Sequence, residues 1–146
     1  LTQRSQVTLA EIMAHPFVFA GRAPRDVHGP LVAAREAARQ AGALHPAFPA
    51  LVQESPTVAL SLVPQSDVVV AVSVTLAARA LRRGEVVALP WRAPWVSVHP
   101  GILRLRGKRM AEAEQAFLDL LHSADLAGER EAQQICAELG LPADCA

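Results

Sequence analysis

Three short polar clusters carry the side chains best suited to holding a small anion: Gly21-Arg22, Ser55 with Thr57, and Ser73 with Thr75. Each follows an apolar run and precedes a helix-forming stretch. Backbone N–H groups at a helix start, joined by a hydroxyl or a guanidinium, can receive an anionic group. Ordinary helix capping accounts for Ser55 and Ser73 equally well, and a solvated loop charge accounts for Arg22.

No other chemistry stands out. His15, His28, His45, His99 and His122 lie on different elements, with no H-x-x-x-H pair and no cysteine or aspartate at ligand spacing, so they read as surface or loop residues and no metal is expected. There is no nucleophile elbow, no phosphate-binding glycine loop and no paired-carboxylate signature. Neither an enzyme nor a cofactor is expected. Trp91 and Trp95 flank a proline-rich crossover, where packing explains them better than ligand stacking. Arg104, Arg106, Lys108 and Arg109 read as a solvated turn, and Glu112 and Glu114 as charges that complement a helix start. Cys136 and Cys145 are too far apart for a CxxC motif, so reduced thiols are expected, with a tail disulfide as the alternative.

Composition bounds the function. The chain has 146 residues, 51% of them hydrophobic and 19% charged, with Lys plus Arg equal to Asp plus Glu. One ordered domain with a core is the expectation, not a disordered chain. A net charge of zero supplies no basic field for a nucleic acid backbone. No apolar run reaches membrane-spanning length and Leu1-Thr2-Gln3-Arg4 opens no signal peptide, so a cytoplasmic protein follows. The missing initiator methionine suggests an excised segment.

The elements that must position the clusters alternate. Thr8 and Glu11 form a capping box for a helix over 9–14, ended by Pro16. Phe17-Val18-Phe19-Ala20 reads as a strand buried on both faces. Pro30 opens a helix and Gly42 closes it, with Leu31, Ala34, Ala38 and Ala41 inward and Arg35, Glu36, Arg39 and Gln40 outward. A strand over 51–54 leads into a helix capped by Ser55 and stopped near Pro64. A strand over 67–72 leads into a helix from Ser73 to Gly84. Val86-Val87-Ala88-Leu89 reads as a further strand, and 97–105 as extended chain. A helix over 110–123, with Ala113, Phe117, Leu120 and Leu121 inward, precedes a short helix over 131–139. Such alternation with continuously apolar strands indicates an α/β architecture around a parallel or mixed sheet.

The order of these pieces resembles the effector-binding domain of LysR-type bacterial transcription regulators. The resemblance rests on Leu9-Ala10-Glu11-Ile12 followed by His15-Pro16-Phe17-Val18-Phe19, on Asp67 to Ser73, and on Arg82-Arg83-Gly84-Glu85-Val86-Val87-Ala88-Leu89-Pro90. Gly101 to Leu105 and Ala116 to Leu121 match the family's return strand and closing helix. Pro64-Gln65-Ser66-Asp67 departs from the Gly-x-Gly common in the family, and Arg109-Met110 from its Ser-Pro helix start.

The resemblance implies a fold like type II periplasmic binding proteins. Residues 1–94 would form a complete second lobe. Residues 95–123 would form the crossover and the return strand and helix of the first lobe, and 124–146 a tail. The rest of the first lobe, and a helix-turn-helix through which DNA would be bound, would lie outside this chain. The loop after the second lobe's first strand, here Ala20 and Gly21, would face the cleft that holds an unidentified small-molecule effector. Apolar faces left without their usual partners would make the chain a homo-oligomer. The alternatives are a solute-binding protein of the same fold, and behind it an α/β enzyme.

Overall fold

Thr8 starts the first helix as its spacing predicts. In the computed structural model, which describes residues 1, 5–21, 25–43, 47–93, 95–96 and 101–141, its hydroxyl accepts from Glu11 N–H. The Glu11 carboxylate accepts from Thr8 N–H at 2.8 Å, so the capping box of α1 (Leu9–Met13) is complete. Arg22, His45, His99 and Cys145 lie outside the described residues, as does the first part of the expected extended segment over 97–105. The side chains of residues 25 and 26 are likewise not described.

The chain divides into two compact units, Leu1–Val96 and Ser97–Ala146. The first is an α/β unit built on a three-stranded parallel sheet. Strand β1 (Phe17–Ala20) is central, flanked by β2 (Leu51–Gln53) and β3 (Val69–Val70). Phe17 and Phe19 alternate onto one face, where they join Val7, Ile12, Met13, Val27, Leu31 and Ala38 in a core formed with α1 and α2 (Arg25–Gln40). Val18, 1% exposed, points to the opposite face. There α3 (Pro56–Leu62) packs on β1 and β2 and touches α4 (Val74–Arg82). Helices on both faces of a parallel sheet explain why its central strand reads as an unbroken apolar run.

Helix α2 begins at Arg25, five residues before Pro30, which lies inside it. Val27 and Leu31 are both buried and one turn apart. The apolar stripe therefore starts before the proline, and packing extends the helix past the position that Pro30 would otherwise mark. Arg35 is also corrected. It is one turn beyond Leu31 and buried, not outward. Glu36 and Arg39 do face solvent, paired at 2.8 Å. Hydrogen bonds from Arg39 and Gln40 hold the Glu36 carboxyl down at about 2.

Two expected strands are absent among the described residues. In 86–89, Val86 is buried and Leu89 packs against the core, but the backbone joins no ladder. Residues 101–105 likewise join no ladder, and Ile102, Leu103 and Leu105 are exposed. Strand β3 is shorter than 67–72, because it pairs only with Phe17 and Val18 of β1.

The second unit is dominated by α5 (Glu112–Glu138), a single 27-residue helix where two were expected. The residues between 123 and 131 include only one glycine and no proline, and the helix runs through them. Glu114 anchors its start. Its carboxylate accepts from Ala111 N–H at 2.9 Å and from the Lys108 ammonium at 3.2 Å, which lower its pKa in that order. Ala111 supplies the cap position without a polar side chain. Phe117, Leu120 and Leu121, expected inward, are exposed, whereas Ala132, Ile135 and Cys136 further along are buried. Cys136 is disulfide-bonded, which corrects the reduced-thiol expectation. The sequence's other cysteine is Cys145, beyond the turn at Gly140 that ends α5. No described helix is long and apolar enough to cross a membrane.

Candidate functional site

Strand order decides where a ligand can sit. The chain leaves β1, passes through α2, and adds β2 on one side. It then passes through α3 and adds β3 on the other side of β1. Right-handed crossovers in opposite directions send α2 and α3 to opposite faces. The connections therefore change direction between β1 and β3, and open α/β sheets hold ligands beside such a switch point at the carboxyl edge.

The register brings the sequence-chosen residues to that edge. Ala20 pairs with Gln53, and Val18 with Val70. One step beyond the first pair are Gly21 and Glu54, with Ser55 next. Three steps beyond the second pair are Gly21 and Ser73. Ala20, Gly21, Ser55, Thr57, Ser73 and Thr75 thus all follow the carboxyl ends of parallel strands. Arg22 falls outside the described residues.

Gly21 closes β1 by donating its N–H to Gln53 C=O at 2.8 Å. Its φ of +86° is a conformation that other residues adopt only with strain. A Cβ built there would meet nothing within 4 Å, so the requirement is conformational and the space beside it is open.

The two serines separate into different roles. Ser55 Oγ accepts from Val58 N–H at 3.5 Å, and Pro56 fills the first helical position, so Ser55 is a helix cap. Ser73 sits at the cap position of α4 in the extended conformation but makes no side-chain bond to the helix backbone. Its hydroxyl meets Thr75 Oγ1 at 3.2 Å instead. The carboxyl edge beside the β1/β3 switch therefore carries the Ser73–Thr75 hydroxyl pair after β3 and open space over Gly21 after β1. The Gly21 N–H is already given to Gln53 C=O, so the donors for a small anion are the Ser73 and Thr75 hydroxyls and the N–H groups of the first turn of α4. They include no acid, base or nucleophile pair arranged for catalysis. Among the described residues no group of three potential metal ligands occurs.

One neighbouring feature was not foreseen. Phe19 stacks on His28 of α2, with centroids 6.4 Å apart and an interplanar angle of 20°. Phe48 meets Phe17, Phe19 and His28 at 5.6 to 6.1 Å. These rings come from three chain segments, so spacing in the sequence could not group them. His28, exposed on α2, is the member closest to solvent. Trp91 and Trp95 meet edge to face, 6.1 Å apart; Trp91 packs against the core as expected, whereas Trp95 is exposed.

A groove of about 550 Å³ lies elsewhere, wholly within the second unit, between residues 102–110 and the first turns of α5. Its lining includes Ile102, Leu103, Leu105, Met110 and Phe117, and it contains none of the residues singled out as ligand donors. No family model matches the chain, and neither a curated protein nor a solved structure matches it.

Proposed function

We propose that this chain senses a small anionic ligand at the carboxyl edge of its parallel sheet, as the effector-binding part of a LysR-type bacterial transcription regulator. The observation that carries the ligand reading is the switch between β1 and β3, with Gly21 after β1 and the Ser73–Thr75 pair after β3. The sequence resemblance supports the regulator assignment and, with it, the two-lobed fold of type II periplasmic binding proteins. A ligand that binds one arrangement of lobes better than another shifts the population toward it. DNA-binding segments outside this chain would be repositioned as a result. In this reading the protein acts in the cytoplasm.

A second reading, a solute-binding protein of the same fold, is favoured by one observation: the disulfide at Cys136. Disulfides persist in oxidising compartments and are rare in the cytosol. Alkylation of the denatured protein at lysis, with adducts counted by intact mass, separates the two readings. Two reactive thiols support the regulator, and none supports the solute-binding protein.

The ligand site itself is tested by thermal shift against a panel of small mono- and dicarboxylates. At least one is expected to raise Tm, and Ser73→Ala is expected to reduce that rise. A panel without effect, or a rise unchanged in Ser73→Ala, contradicts the site.

A further inference from the structure

Across β1 from the Ser73–Thr75 pair, the carboxyl edge carries a second polar side chain. Gln53 ends β2 and is paired with Ala20. Side chains alternate along a strand and partners in register share a face, so Gln53 lies on the side of the sheet where Val18 points and α3 packs. Its Oε1 accepts from Ser55 N–H at 3.3 Å. A backbone N–H can be given only to the oxygen of an amide, which settles the orientation of the group. Nε2, with two N–H donors, then has no partner among the described residues. The side chain is half-buried, so the bond to Ser55 and the packing around it hold the amide in place.

The end of β1 leaves room between the two polar groups. Ala20, level with Gln53, places only a methyl there, and nothing lies within 4 Å of a Cβ built on Gly21. Two strand spacings of about 4.8 Å each separate β2 from β3 across β1. Two hydrogen bonds of about 2.9 Å take up part of that width and leave about 4 Å between the acceptor atoms of a bound molecule. One or two methylenes between a carboxylate and a carbonyl or hydroxyl oxygen provide such a separation. Charge decides which end goes where. Glu54 follows Gln53 directly and is exposed, so a second carboxylate on that side would meet like charge, whereas a neutral oxygen would not. The start of α4 favours the anionic end.

We propose that Gln53 reads the far end of the ligand, and that the molecule selected at the carboxyl edge is a short monocarboxylate with a neutral ketone or hydroxyl oxygen a few carbons from its carboxylate. The carboxylate lies at Ser73, Thr75 and the first turn of α4. The carbon chain crosses the end of β1 over Ala20 and Gly21, and the neutral oxygen accepts from Gln53 Nε2. This assignment rests on the anion site proposed above and adds the class of molecule that the site selects.

Amide NMR titrations of the full 146-residue chain with pentanoate and with levulinate test this. The two acids are alike in length and charge, but levulinate has a ketone oxygen where pentanoate has a methylene. The wild type is expected to bind levulinate about fivefold more tightly, the effect of one hydrogen bond of ordinary strength. Gln53→Glu keeps an acceptor for Ser55 N–H and replaces the donor by a carboxylate oxygen. Its added charge opposes both monoanions, so the ratio of the two dissociation constants isolates the lost donor. The preference for levulinate is expected to vanish in Gln53→Glu and in Gln53→Met, while helical circular dichroism stays at the wild-type value. A purely structural Gln53 would change stability in Gln53→Met and leave the preference where it was. Equal affinities in the wild type, or a preference that survives Gln53→Glu, overturns the proposal and leaves the anion site standing. Saturable shifts from neither probe overturn the anion site and the proposal together.

Discussion

Arg35 is the residue whose position most departs from its chemistry. Only 5% of it is exposed, and Nη1 donates to the Met13 carbonyl near the end of α1. Nε and Nη2 are buried and have no hydrogen-bond partner among the described residues. The carbonyls that end a helix need donors, so the single bond is favourable. Yet each unpaired buried donor costs about 1–3 kcal/mol, and an apolar side chain of similar length removes that penalty together with the buried charge. We expect Arg35→Met to raise the unfolding free energy by about 1–3 kcal/mol in urea melts at one protein concentration. A loss of stability would show that the guanidinium has a partner that matters. Sequence reasoning set Arg35 outward on charge alone. Its spacing from Val27 and Leu31 was the contrary signal, because it places the side chain in the buried stripe.

At the scale of elements, helix ends were more legible than strand ends. Gly84 ends α4 in a Schellman motif: Glu85 N–H donates to Ala80 C=O at 2.9 Å, and Gly84 N–H to Leu81 C=O at 3.0 Å. The same pair of bonds follows α2 at Gly42 and α5 at Gly140. Gly84 adopts φ +67° with nothing near a built Cβ, so Gly84→Ala is expected to destabilise by about 1–2 kcal/mol through backbone strain alone. Denaturant titration checks this, and an unchanged midpoint would contradict it. These stops are local, fixed by one residue's backbone freedom, and so visible in the sequence. Strands need a partner that the sequence does not display. Residues 17–20 and 86–89 are similarly apolar runs, but only the first found neighbours on both sides. The inward assignment of Phe117, Leu120 and Leu121 failed for a related reason. Periodicity tells which residues share a face, not whether anything lies against that face.

At the scale of the molecule, α/β alternation was readable because β1, β2 and the helices between them each carry their own signals. The sheet order, and with it the switch point, was not. It depends on β3 returning to the far side of β1, a choice made by crossover handedness and by burial of Val18 against α3. That order gives the candidate residues their meaning. Ala20, Gly21, Ser73 and Thr75 were chosen as isolated loop and helix starts, and the fold gathers them on one edge. It also distinguishes Ser55, committed to capping, from Ser73, whose hydroxyl meets Thr75 and makes no bond to its helix backbone. The aromatic group of Phe19, His28 and Phe48 was invisible for the same reason that the sheet order was.

The claim that the carboxyl edge holds an anion is tested most directly by two-dimensional amide NMR of the chain during titration with the carboxylate that most raises its Tm, or with acetate if none does. The account predicts saturable shifts at the amides of Gly21, Ser73 and Thr75, with α5 amides unchanged. Shifts confined to the basic segment at Arg104 to Arg109, or no saturable shift at Gly21 and Ser73, would contradict it.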